Sequence, residues 1–264
     1  MEIPCYQVDA FTTRPFAGNP AAVCVLDAFL DARTMQSIAL EKALSETAFV
    51  APRADGEFDL RWFTPTREVD LCGHATLATA HVLSSVLGRA RGVMRFHTRS
   101  GVLTVEPRGE TLAMDFPARP TVPCEVPAGV AEALGVTPIE AHRARDLVIV
   151  VGSAREVRAM SPDLARVAQI DAYAVTVTSR GDGEDADVDF VSRFFAPRQG
   201  VPEDPVTGSA HCTLAPFWAA RLGRTVLRAR QVSARGGEMG CELRGDRVTL
   251  EGSAVLIERG VLLL

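Results

Sequence analysis

The chain has 264 residues, 47% of them hydrophobic and 23% charged, which allows one large domain or two of ordinary size. Its net charge of −5 argues against nucleic acid as a main partner, and no apolar run reaches the ~18 residues of a membrane span. Only Lys42 among 28 basic residues is a lysine, so Schiff-base cofactor chemistry has one candidate residue.

In chain order, Asp31 is placed to cap a helix carrying Met35, Ile38 and Leu44. LSETAFV then starts a strand, with Glu46 on the face of Ala48 and Val50. EFDLRWF alternates Phe58, Leu60 and Trp62 against Asp59 and Arg61, the pattern of a half-buried strand. Cys72, Gly73 and His74 open the helix HATLATAHVL, which is apolar nearly all round and therefore buried. VLTVEPRGETLAMDF reads as a hairpin with Arg108-Gly109 in its turn. FPARPTVPCEVPAG, residues 116–129, is a proline-rich join. DLVIVV, 146–151, is a fully buried strand. Ser161-Pro162 starts another helix. SAHCTLAPFWAARLG is a second all-round apolar helix, which Pro216 should kink or loosen.

The stretch around the first buried helix occurs twice. RWFTPTREVDLCGHATLA (61–78) and RFFAPRQGVPEDPVTGSAHCTLA (193–215) both run Arg, aromatic, Phe, any residue, Pro, a polar loop, then Gly-x-Ala opening a helix. Gly73 and Gly208 are 135 positions apart. RSGVLTVEPRGETLAMD (99–115) also lies without gaps on RGGEMGCELRGDRVTLE (235–251). The chain therefore reads as two copies of one lobe, 1–118 and 119–264, with the last strand near 255–264 free to pack back on the first. The expected fold is α+β: two pseudo-symmetric lobes, each a barrel-like, mostly antiparallel sheet around a central helix.

The first N–H groups of a helix lack intrahelical partners and carry partial positive charge. Such a mouth takes anions, and Gly73 and Gly208 let a ligand come close. Two such mouths facing one cleft would suit a carboxylate or an enolate-like transition state. Proton carriers stand beside them: Cys72, His74, Asp204 and, at the strand start, Glu46. A carboxylate on an apolar face is costly to ionise and suited to general base work. The helix dipole predicts a neutral His74. No metal is expected, because the histidines lack helical ligand spacing. No nucleotide cofactor is expected either, because neither common glycine-rich phosphate motif is present. The six cysteines contain no CxxC pair and read as reduced thiols. MEIPCYQVDAF does not resemble a signal peptide. Both point to the cytoplasm.

At these residues the sequence resembles the phenazine-biosynthesis PhzF-like isomerase family, which shares the diaminopimelate-epimerase fold. The resemblance rests on QVDAFTTRPFAGNPAAV, LSETAFV, RWFTPTREVDLCGHATLATA and EDPVTGSAHCTLAPFW. It implies an active site between two similar lobes, cofactor-independent proton-shift chemistry, a small carboxylate-bearing substrate and a homodimer. It implies that Glu46 is the catalytic Glu, with His74 and Asp204 as substrate-orienting and acid/base partners. Gly73, Gly208 and Ser209 would line the helix mouths, and Asn19 would contact substrate. The neighbouring epimerases use a cysteine at each mouth. Here Cys72 holds the first such position and Thr207 the second, so the thiol pair is broken. An epimerase or racemase using Cys72 is the alternative enzyme, and a non-catalytic small-acid binding protein the alternative of another class.

Overall fold

The structure is a computed structural model that describes residues 1–264. The chain falls into two compact units, Met1–Asp115 with Glu251–Leu264, and Phe116–Leu250. The sequence predicts a division after residue 118 with the last strand free to join either lobe; the division falls after Asp115, and the final segment groups with the N-terminal unit. No helix is long and apolar enough to cross a membrane.

In the N-terminal unit, β1 (Glu2–Ala10) pairs antiparallel with β2 (Asn19–Val25). After α1 (Ala32–Lys42), β3 (Glu46–Pro52) returns parallel to β2. β4 (Phe58–Phe63) is antiparallel to β3 and carries the short β5 (Glu68–Val69). Next come α2 (Gly73–His81), β6 (Met94–Thr98) parallel to β4, β7 (Gly101–Arg108) and β8 (Thr111–Pro117). The C-terminal strand Ala254–Leu263 pairs antiparallel with β1.

Local chemistry explains the boundaries. The Asp31 carboxylate accepts the Thr34 N–H at 3.0 Å and starts α1, and Ala43, in the left-handed region, ends it. Leu44, predicted on the helix, lies beyond that stop. Met35 and Ile38 of α1 pack with Cys5, Cys24, Phe49 and Phe63. Strand residues alternate between faces, and Ala21, Val23, Ala48 and Val50 are buried on the other face, against α2. Glu46 belongs to that second face by the same alternation. Every residue from His74 to Ala80 is buried, the position an all-round apolar helix requires. In the β7–β8 hairpin Arg108 pairs with Thr111. The turn residues are therefore Gly109-Glu110, one position later than predicted. Gly109 has φ +63°, as the first central residue of a type II′ turn allows.

The C-terminal unit begins with β9 (Val122–Cys124), α3 (Val130–Leu134), β10 (Glu140–Arg143) and β11 (Leu147–Val150). It continues through α4 (Ala154–Ala159), α5 (Leu164–Val167), β12 (Val175–Arg180), β13 (Phe190–Ala196) and β14 (Val201–Asp204). It ends with α6 (Gly208–Leu222), β15 (Val226–Gln231), β16 (Gly237–Arg244) and β17 (Arg247–Gly252); the C-terminal strand is β18. Asp163, not Ser161-Pro162, caps α5, accepting from the Ala165 and Arg166 N–H groups. Pro216 lies inside α6 and has no N–H to give Cys212 four residues back. The Cys212 carbonyl accepts the Arg119 N–H instead, at 2.9 Å, and the helix runs on to Leu222.

The pairing pattern of one unit recurs in the other. β11 is parallel to β12, β12 antiparallel to β13, β13 antiparallel to β14 and parallel to β15, and β15 antiparallel to β16. β2, β3, β4, β5, β6 and β7 repeat these relations in order. β9 flanks β10 as β18 flanks β1. One side-chain device is duplicated as well. Arg61 grips Glu68 through two bonds of 2.7 and 2.8 Å, and Arg193 grips Glu203 through two bonds of 2.7 and 2.8 Å. Each guanidinium lies over the Phe two residues on, Phe63 at 5.3 Å and Phe195 at 5.2 Å. Each forked pair fixes the strand that leads into its buried helix.

Gly18 supplies a test of the β1–β2 turn. It has φ +66°, and a Cβ there would lie 2.2 Å from the Ala10 carbonyl oxygen. Backbone cannot rotate away as a side chain can, so Gly18→Ala should cost about 2–4 kcal/mol in urea denaturation. Gly56→Ala is the control: its φ is +83° but the space around it is open, so only the backbone cost of about 1 kcal/mol should appear.

Candidate active site

The N-terminal unit assembles three reactive side chains at the mouth of α2. Glu46 is the first residue of β3. Cys72 is the N-cap of α2 and His74 its second residue. His74 Nε2 lies 3.1 Å from Glu46 Oε2, and His74 Nδ1 lies 3.5 Å from Cys72 Sγ. Cys72 and His74 are buried, while the Glu46 side chain keeps 18% of its surface exposed. Glu46 is thus the member of the trio that solvent reaches most. Asn19, the first residue of β2, is fully buried and stands two residues before Ala21, the strand partner of Glu46.

Electrostatics within the trio reverses one expectation. Burial opposes the charged imidazole, but the Cys72 sulfur and the Glu46 carboxylate together hold the His74 pKa well above the ordinary histidine value. The helix dipole alone predicts a neutral ring; a carboxylate in contact outweighs a half-charge spread over one turn. Burial, then the Glu46 charge, pushes the Cys72 thiol up to about 11. The sulfur therefore keeps its proton at neutral pH.

The C-terminal unit builds a different mouth on the same plan. Asp204 ends β14, and its Oδ2 accepts the Thr207 hydroxyl at 2.5 Å. Gln231, buried at the end of β15, donates to the Asp204 carbonyl at 2.6 Å and accepts the Thr207 N–H at 2.9 Å. Ser209 Oγ accepts from Arg145 Nη2 at 3.2 Å. Arg145 forks onto Asp146 at 2.7 and 2.8 Å and lies 4.5 Å over the Tyr173 ring. Sequence reasoning missed Gln231 and Arg145. A polar residue at the inward end of VLRARQ and an Arg-Asp pair leading a buried strand were the available signals.

Neither buried helix has a side-chain cap on its first amides, whereas Asp31, Ser153 and Asp163 cap α1, α4 and α5. A Cβ added at Gly208 would meet only Leu250 Cδ1, at an ordinary 3.5 Å. The fold does not demand glycine there, and its absent side chain leaves the amides open.

Strand register shows which groups the duplication did not copy. Thr47 pairs with Phe63, and Val175 with Phe195. Glu46 therefore corresponds to the buried Ala174. Counting back from the helix glycines, Thr207 corresponds to Cys72, and Val69 to Asp204.

Glu46, Cys72 and His74 place their donor atoms within 4.8 Å of one another, as do Asp55, Glu57 and His97. Either set has the spacing to hold a metal ion. In the first, a metal would have to displace the thiol proton, which burial holds on Cys72 at neutral pH.

Comparison with known proteins places the chain. The family described as phenazine biosynthesis-like protein matches residues 8–260, and the chain belongs to that family. It is 53% identical to an uncharacterized isomerase of Pseudomonas aeruginosa, over 99% of both chains. A crystal structure of a phenazine biosynthesis protein of the PhzF family from Enterococcus faecalis superposes with a TM-score of 0.96 at 44% identity, covering 100% of both chains. Likeness in fold alone extends to a hydroxyproline epimerase of Agrobacterium vitis, with a TM-score of 0.65 at 10% identity, over 99% of this chain and 92% of that one.

The two buried histidines should titrate in opposite senses. His74 is raised, so its pairing with Glu46 stabilises the fold fully below the unfolded value of about 6.5 and is lost as pH rises through the folded pKa. Burial lowers His211 to about 4, so its neutral ring favours the fold above about 6.5 and opposes it as pH falls toward 4. Imidazole NMR at pH 7 should show His74 protonated and His211 neutral. Glu46→Gln should move the His74 titration downward and leave His211 unchanged.

Proposed function

We propose that the protein is an isomerase that moves a proton on a small, carboxylate-bearing metabolite, with Glu46 as general base and then general acid. The observation that supports this best is a solvent-reached carboxylate gripped at one oxygen by a buried histidine beside an uncapped helix mouth. His74 holds Oε2, which leaves Oε1 for the substrate proton. A proton taken from one carbon can return to another through the same carboxylate. His74 orients Glu46 and polarises the substrate; Asp204 is a second acid/base group; Asn19 adds a polar contact. The open amides at Gly73, and at Gly208 and Ser209, offer donors for the substrate carboxylate and for the negative charge of an enolate-like transition state. The relatives named isomerases and the family membership agree with this chemistry.

A metal or organic cofactor has no role in this reading. The alternative enzyme is an epimerase using Cys72, which is placed 3.5 Å from His74 Nδ1. Two features favour isomerisation. The Cys72 thiol, pushed up to about 11, is a poor base, and Thr207 stands where a second thiol would be.

Glu46→Gln should keep the fold and substrate binding, while turnover falls at least ~10²-fold. The assay is enzyme-dependent deuterium uptake at carbon from heavy water in a screen of small carboxylates. Turnover above about a tenth of wild type would move the base to Asp204 or Cys72. Cys72→Ser should retain activity; an epimerase would lose it. Chelators should leave the rate unchanged.

A further inference from the structure

Away from these helix mouths, the N-terminal unit contains a second cluster of reactive groups. Cys5 of β1 and Cys24 of β2 are direct antiparallel partners. Both face the α1 side of the sheet, and both are buried. The Cys24 thiol points at the Cys5 sulfur across 3.6 Å. Cys5 also lines a cavity of about 70 Å³ together with Ala22, Lys42, Leu44, Glu258 and Val261. Glu258 and Val261 are exposed, so the cavity is in reach of solvent. Lys42, the last residue of α1, is the chain's one lysine. The mechanism proposed above uses none of these residues.

We infer that Cys5 and Cys24 form a peroxide-reactive dithiol, with Cys5 the attacking sulfur at the cavity wall and Cys24 the resolving one behind it. The geometry supports closure. Antiparallel partners have Cα atoms about 4.5–5.5 Å apart, inside the range a disulfide spans. The sulfurs need to approach by only about 1.6 Å to reach bonding distance.

The chemistry follows in two balanced steps. The Cys5 thiolate attacks one oxygen of a hydroperoxide; the O–O bond breaks, the leaving oxygen takes a proton and departs as water or alcohol, and Cys5 becomes a sulfenic acid. The Cys24 sulfur then attacks Cys5 Sγ; the S–O bond breaks, water leaves, and a disulfide forms. Two thiols are oxidised and one peroxide is reduced. The environment assigns the two roles. The hydrogen bond from Cys24 lowers Cys5 to about 7, against burial and with help from the Lys42 charge. The same bond, then burial, holds Cys24 well above the ordinary thiol value.

The test is hydrogen peroxide titration of the full-length protein at pH 7, read by intact mass and a non-reducing peptide map. The expected result is loss of two hydrogens and a cross-link between the Cys5 and Cys24 peptides, reversed by dithiothreitol. Iodoacetamide should label Cys5 at least ~10-fold faster than Cys72, Cys212 and Cys241, because burial holds those three at about 11 or above. In Cys24→Ser, oxidation should stop at a Cys5 sulfenic acid that dimedone traps. Cys5→Ser should show neither product. No cross-link in the wild-type protein, a cross-link between other cysteines, or equal labelling of Cys5 and the three buried thiols would each overturn the inference; these readings need no variant to fold.

Discussion

Burying a helix on all sides leaves its unpaired end groups with no water to turn to, and much of this structure answers that constraint. A buried N–H or C=O without a partner costs on the order of a lost hydrogen bond. Within α6, the carbonyl that Pro216 orphans is taken by the Arg119 N–H. At the far end of α2 the chain widens into a turn in which the Leu83 carbonyl receives both the Arg89 and Ala90 N–H groups. At the two helix mouths the response differs. Cys72 and Thr207 make no side-chain cap. A soluble helix could gain ~1 kcal/mol from Ser or Asp at that position. The two buried helices go without such a cap, as α3 does, while α1, α4 and α5 keep theirs.

The duplication separates scaffold from chemistry. The strand pairing, the Arg–Glu forks and the glycine-led helices are common to both units. The groups that can carry protons are not. Glu46 has Ala174 as its counterpart, Asp204 has Val69, and Cys72 has Thr207. A symmetric pair of thiols suits an enzyme that takes a proton on one face and returns it on the other. One carboxylate with no counterpart suits a proton that leaves and returns through the same group. The inserted residues also differ in length: Glu68 and Glu203 both stand five positions before their helix glycine, yet Arg61 and Arg193 stand at different distances from them. The fork closes to the same bond lengths in both units, so the ion pair, not the loop, sets the geometry.

Much of this was legible in the sequence. The α+β class, the repeat, the two buried helices, the Asp31 cap and the strand start at Glu46 all follow from periodicity and punctuation. The errors are local. Leu44 falls off α1 because Ala43 adopts a left-handed stop that an alanine does not advertise. The β7–β8 turn slips by one residue because hairpin register depends on backbone geometry that Arg108-Gly109-Glu110 leaves open. Asp163 displaces Ser161 as a cap because its carboxylate reaches two amides. Gln231, Arg145 and the Arg–Glu forks could not be paired from sequence, since their partners lie 10 or more residues away in most cases and only the folded register joins them. The Cys5–Cys24 pair was hidden for the same reason: nothing in a spacing of nineteen residues shows that two strands set them side by side.

Two opposing fields act on His74. From the sequence, a histidine one residue inside a helix mouth should be neutral, since the dipole disfavours a cation there by ~0.3–1 kcal/mol. That argument holds for an isolated helix. Here β3 brings Glu46 to 3.1 Å from the ring, and at partly buried depth two unit charges interact by several kcal/mol. The larger effect wins, and the ring's pKa is raised well above the ordinary histidine value. A His74 ring raised in this way is suited to hold its proton rather than to serve as the base. The neighbouring thiol is pushed up by burial first and then by the Glu46 charge. One histidine thus ties the three residues together, meeting Glu46 through Nε2 and Cys72 through Nδ1, with the thiol pushed up beside it.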